Sequence, residues 1–360
     1  MKQKQADQAS DEVTGLDTGL VQRCTGQAES AIATLWDVSR KTFWRSTEHR
    51  DRDKTSKKAL FFPTVSLRCA NALLSLAVQA PDWASGPIRR QLLEHVLPNL
   101  VSLTSHQLRS TLDIKGQRNV FTLSLYVDTL SQISRLQSIT GAMALAAADR
   151  LQSVASNLIG HTALRRKGKR DYIPAHPFIL YHVSHALLSC QPHLTDVAQR
   201  DRASQLIADI AGDVRNAVER LLAKHHLGAL APSESVALAF CGGALLCLGL
   251  LEDLPYVLAS LAMCLECQDA SGCWPLGRVV RENKDITSDK LEIPSFEIAA
   301  VIADSVHDLL EFPTTDVEPA LLRTFYNRLV RSALYAERSI VHLSAVEEPR
   351  VGMAAGPNVW

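Results

Sequence analysis

No charge of either sign is in excess in this chain of 360 residues: Lys and Arg number 38, and so do Asp and Glu. That balance removes any global pull toward nucleic acid or an anionic membrane, and leaves such a preference to uneven placement of charge. Aromatic residues are scarce, at 6%, while Ala and Leu abound, which favours helices over strands. No uncharged apolar run reaches the roughly 20 residues of a membrane span. The nearest, 235–251, contains Gly242, Gly243 and Gly249 and runs straight into Glu252 and Asp253. It reads as a buried core helix. Residues 1–18 are polar and lack the apolar centre of a secretory signal, so they read as a flexible tail ahead of one domain over 19–360. The eight cysteines are scattered, several inside apolar helical runs, a usage that suits a reducing cytoplasm.

What is present is a packed-core composition, 46% hydrophobic and 21% charged, and a long internal period. Helical segments of one kind open at Phe62-Pro63-Thr64, at Asn119-Val120-Phe121, at Ile173-Pro174-Ala175, at Ala231-Pro232-Ser233 and at Ile293-Pro294-Ser295. Successive starts lie 53 to 63 residues apart, and a sixth start, Gly356-Pro357-Asn358-Val359-Trp360, ends the chain. Proline suits the first turn of a helix because its missing N–H would lack an intrahelical partner there anyway. Neighbouring Ser, Thr or Asn can cap the exposed donors.

Each start leads into a strongly apolar helix, such as 65–77 or 298–310, and then into a more amphipathic one, such as 87–103 or 203–222. Helices apolar nearly all round are buried, and amphipathic ones keep a wet face. The chain is therefore expected to be all-α, with repeated helical hairpins forming an α/α toroid or open arc. An extended solenoid of the HEAT type is the alternative, although its repeats run nearer about 40 residues. An outer-type helix over 19–42 is expected to precede the first inner one. The closing Asn358-Val359-Trp360, a start without its helix, implies either docking onto the ring or continuation into a longer polypeptide.

Gln268-x3-Gly272-x-Trp274, following an amphipathic helix, resembles the QW repeat of triterpene cyclases and the related loops of protein prenyltransferase β-subunits. In that α/α-toroid superfamily the Gln ties down a helix end and the Trp stacks beside it, so the resemblance implies the toroid. A second Trp, in Phe43-Trp44-Arg45, stands 19 residues before Pro63, much as Trp274 stands 20 before Pro294. The catalytic motifs of the superfamily are not found. There is no Asp-x-Asp-Asp acid, since Asp285-Ile286-Thr287-Ser288-Asp289 has the wrong spacing, and no Asp-Asp-x-x-Asp magnesium site. The Cys-His pair that holds zinc in lanthionine cyclases is also missing.

Candidate sites can be named residue by residue. Cys264, Cys267 and Cys273 are candidate metal ligands, because thiolates three apart share a helix face; the alternative is small apolar side chains in a Leu- and Ala-rich helix. His176, His182 and His185 lie on one inner helix, where His182 and His185 share a face, and histidines so placed serve as ligands, proton carriers or hydrogen-bonded core or cavity-wall residues. His176, Glu234 and Glu297 would be the titratable groups of an enzyme. Glu234 and Glu297 stand at equivalent inner-helix starts, where an acid also favours the helix dipole.

The loops before the inner helices are basic. Arg165, Arg166, Lys167, Lys169 and Arg170 put five cations in six residues; Lys115 and Arg118 precede the second start, Lys57 and Lys58 the first, and Arg278 follows Trp274. Hairpins repeating in one sense would set these loops on one rim with the inner-helix N-termini, which add free N–H groups and partial positive charge. The expected function is a non-catalytic binding or assembly subunit that holds a phosphate-bearing ligand or a partner protein on this rim, with no cofactor. Nucleic acid is a further candidate, but the aromatic interleaving of single-strand binding is missing. The alternative is an enzyme of the terpenoid cyclase or prenyltransferase type acting on an isoprenyl diphosphate. The two differ in the cavity, which an enzyme keeps open and a binding subunit fills.

Overall fold

The computed structural model describes residues 36–37, 42–43, 66–71, 73–74, 90–104, 120–167, 177–230, 237–249, 251–266, 268, 277–279, 291–293, 298, 301–302, 305 and 309. Almost all of these are helical, and the protein is all-α. In chain order the helices are α1 (Leu97–Val101), α2 (Val120–Arg135), the single turn α3 (Gln137–Thr140), α4 (Met143–Lys167), α5 (Pro177–Cys190), α6 (Val197–His226), α7 (Ala237–Leu248) and α8 (Leu254–Glu266). Residues 66–71 are helical as well, as are Ile298, Val301, Ile302, Ser305 and Leu309.

Local chemistry explains the boundaries. A wide turn, Leu92–Val96, leads into α1, with Leu97 N–H donating to Leu92 O. It absorbs Pro98, whose ring has no N–H and would crowd the carbonyl four residues back. The turn α3 ends at Gly141, where φ is +59°, a backbone shape that glycine adopts without a side-chain penalty. Asp196 caps α6 by accepting from Ala198 N–H at 2.9 Å. At the other end Lys224, His225 and His226 sit among the last carbonyls, where positive charge is favoured.

Burial sorts the helices into two kinds. From Val120 to Val127 every residue of α2 is buried, and α7 is buried from Ala237 to Leu246, Gly242 and Gly243 included. By contrast α6 buries only a stripe, Ala203, Leu206, Ile210, Ala211, Val214, Ala217 and Val218. The steps of three and four are one face of a helix. Each large aliphatic on that stripe contributes about 1.5–3 kcal/mol by leaving water.

The buried helices α2, α5 and α7 lie side by side in that order, while α4 backs α2, α6 backs α5 and α7, and α8 backs α7. The hairpin period of the sequence is visible in the contacts between inner helices. Asn71 donates to Asp128, 57 residues on, and Ser131 to the carbonyl of Ser189, 58 residues on. The rings of Phe121 and Phe178 touch, and Gly243 abuts Val301 and Ser305.

One expectation is overturned. The first outer helix was expected to run to Thr42, but β1 (Trp36–Asp37) pairs antiparallel with β2 (Thr42–Phe43), with Trp36 opposite Phe43. Aromatic and β-branched residues at these positions suit a pleated pair better than a helix end. A second such pair lies in the loop after α8. There β3 (Gly277–Val279) runs against β4 (Leu291–Ile293), with Arg278 in register with Glu292.

Candidate functional site

Three successive inner helices and residues 66–71 bring together one cluster of rings around two histidines and a cation. Phe121 and Phe178 are each the second residue of their helix, and their ring centroids are 5.2 Å apart. One turn further along α5, His182 lies edge-on to both, at 4.9 and 4.8 Å. Tyr181 is 5.1 Å from His182 and 4.5 Å from His185, and Phe240 of α7 closes the group 5.2 Å from Phe178. The Arg68 guanidinium carbon stands 5.4 Å from the centre of the Phe121 ring, within the range of a cation–π contact.

Burial dominates the electrostatics. It draws Arg68 down to about 9, which still leaves the group cationic at neutral pH. His182 is pushed well below the usual histidine range by burial first, then by the charges of Arg68 and His185. Burial takes His185 to about 4. Both imidazoles are therefore neutral near pH 7. The rings of both histidines lie against Tyr181, His182 deeper among the aromatic side chains. His182 Nε2 is sealed from solvent and has no hydrogen-bond partner. A polar atom left so costs about 1–3 kcal/mol.

A second polar group was not legible beforehand. Asp128 of α2 accepts from Asn71 Nδ2 at 3.1 Å, from Gln132 Nε2 at 3.1 Å and from Ser189 Oγ at 3.3 Å. It thereby ties residues 66–71, α2 and α5 together. Burial raises its carboxyl, against the opposing pull of Ser189, Gln132 and the Arg135 charge. The only signal in the sequence was one acid in an otherwise uncharged stretch from Val120 to Ile133.

The basic residues are placed in part. Arg165, Arg166 and Lys167 are the last three residues of α4, and α5 begins at Pro177. Arg278 lies in β3, opposite Glu292 in register. Lys169, Arg170, Lys115 and Arg118 lie outside the described residues, as do His176, Glu234 and Glu297. Of the candidate metal ligands, Cys264 is buried in α8, and Cys267 and Cys273 lie outside the described residues. Among those described, no three His, Cys, Asp or Glu side chains are grouped to hold a metal ion. Burial pushes the Cys190 and Cys241 thiols up to about 12 and the Cys69 thiol higher still, so these three are protonated and poor nucleophiles. Buried Gln268 stands just past α8, its N–H donating to Leu265 O, while Gly272 and Trp274 lie outside the described residues. No helix among the described residues is long and apolar enough to cross a membrane. Compared with protein-family models, with curated proteins and with solved structures, the chain matches none of them.

Proposed function

We propose that this protein is a non-catalytic binding or assembly subunit, built as an α/α toroid or open arc of hairpins, that holds an anionic ligand or a partner protein on a basic rim. The observation that carries the reading is the end of α4. Arg165, Arg166 and Lys167 close that outer helix, and the chain then returns to Pro177, where α5 begins beside the first turn of α2. Cations at a helix C-terminus are favoured by the dipole, and in hairpins repeating in one sense the end of an outer helix lies at the end of the array where the inner helices start. The dipoles of those starts favour negative charge at the same end.

Acting on an isoprenyl diphosphate would require an open apolar cavity between the inner helices. The ring-on-ring packing of Phe121, Phe178, Tyr181 and Phe240 supports the binding reading instead. The test is native mass spectrometry of the protein taken from its host, at low and high salt, beside the triple variant R165E/R166E/K167E. A ligand or protein retained at low salt, shed at high salt and missing from the variant is expected. Equal retention by the variant refutes the rim.

A further inference from the structure

We propose that His182 and Arg68 form the inner end of an oxyanion site, where a phosphate group, free or carried on a larger ligand, accepts a hydrogen bond from His182 Nε2–H beside the charge of Arg68. The inference rests on the anionic-ligand reading above and names where such a ligand would end.

Three observations converge on it. First, buried nitrogens in native proteins are almost always partnered by protein, water or a bound group, yet His182 Nε2 is enclosed and has no partner in the protein. An apolar ring of the same shape would fill the space without that penalty, and the surrounding Phe121, Phe178 and Tyr181 rings show that the environment accepts one. Second, the cation beside it is held at the cost of desolvation. Arg68 and His182 both border Phe121, and the Arg68 charge helps keep the imidazole neutral. The pair therefore offers one positive charge and one neutral donor, a combination suited to an oxyanion and hostile to a metal ion. Third, Phe121 and Phe178, which flank His182, lie in the first turns of α2 and α5, helices of 16 and 14 residues whose starts are therefore side by side, with His182 one turn further in. Both dipoles add to the attraction for negative charge. Asp128, the one acid of α2, lies nearly two turns further along and is committed to Asn71, Gln132 and Ser189.

The experiment is a titration at pH 7.5 with inorganic phosphate and with phenyl phosphate, followed by calorimetry and thermal unfolding, on wild type, H182F and H182Q. Phenylalanine keeps the ring and removes the donor; glutamine keeps a neutral donor. Phosphate is expected to stabilise wild type and H182Q, with affinity for H182F lower by about tenfold or more. Tighter binding of phenyl phosphate would identify a phosphate carried on a larger body, and equal binding a free ion. In parallel, histidine 15N spectra should show one imidazole shifting with added phosphate, a signal missing from H182Q. This readout stands even if H182F folds poorly. Phosphate binding that H182F retains, or no response of wild type to either probe, would overturn the site. A salt-sensitive ligand in the native mass spectra together with unchanged phosphate binding by H182F leaves the rim standing and removes only the site. Bare spectra with a phosphate response dependent on His182 do the reverse.

Discussion

A β-carbon added at Gly243 would stand 2.9 Å from Val301 Cγ1, 3.0 Å from Tyr181 Cε2 and 3.2 Å from Ser305 Oγ. Those atoms come from α5 and from the helical residues following β4, so the glycine is where two other segments meet α7's backbone. Val301 is β-branched and stiff, and Tyr181 is locked among other rings, so neither can give way cheaply. Overpacking of this kind costs about 1–3 kcal/mol. Against it, alanine gains about 1 kcal/mol over glycine in a helix interior, and G243A should be destabilised by a net of up to about 2 kcal/mol. Two neighbours calibrate the number. At Gly242 the closest atoms are Leu261 Cγ and Cδ2, at 3.1 and 3.2 Å, and a leucine side chain can shift; G242A should be near neutral. At Gly212, in α6, nothing lies within 4 Å, so G212A should stabilise by roughly 0.5–1 kcal/mol. Urea unfolding of the three variants reads the order directly, from shifts in midpoint at constant slope. If G243A proves as stable as G212A, the inner helices do not meet closely at this glycine, and the close-packed inner layer is wrong.

Three further outcomes are expected. Folded His185 titrates near 4, below the unfolded value, so its contribution is fully present above about pH 6.5 and is lost as pH falls toward 4. The loss is at most about 3 kcal/mol, and urea midpoints at pH 7.5, 5.5 and 4.5 should fall less steeply for H185Q than for wild type; identical slopes would refute the assignment. Arg215 holds buried Asp253 through Nε at 2.5 Å and Nη2 at 2.9 Å, and reaches exposed Glu252 at 2.8 Å. R215M should cost about 1–3 kcal/mol by stranding the Asp253 carboxylate, whereas E252Q should cost less than about 0.5 kcal/mol, both read by thermal unfolding. Removing the α6 cap with D196A should cost about 1 kcal/mol, measurable by the same method; no change would mean the Asp196–Ala198 bond carries no net stability.

Helix type and period were legible in the sequence because they depend on properties that repeat along the chain. An apolar run is followed by an amphipathic one, as in α5 and α6; the expected proline starts at Pro63, Pro174, Pro232 and Pro294 lie outside the described residues. The run 235–251 read as a buried core helix because it falls short of a span and runs into Glu252 and Asp253, and 203–222 read as an outer helix because only one of its faces is apolar. The strand pair at Trp36–Phe43 was misread as the end of a helix because a short segment with aromatic and β-branched residues carries little period of either kind.

What only the tertiary structure decided is which polar groups meet. His182 read as one of two histidines on a helix face. Its character comes from Phe121 and from Arg68, which lie on other segments more than sixty and more than a hundred residues away along the chain. Asp128 was one acid in an apolar helix until Asn71 and Ser189 closed around it. Burial and charge act through space and decay over a few ångströms. A local pattern can therefore announce that a helix will be buried, but only packing determines which side chains share its interior and what their chemistry becomes.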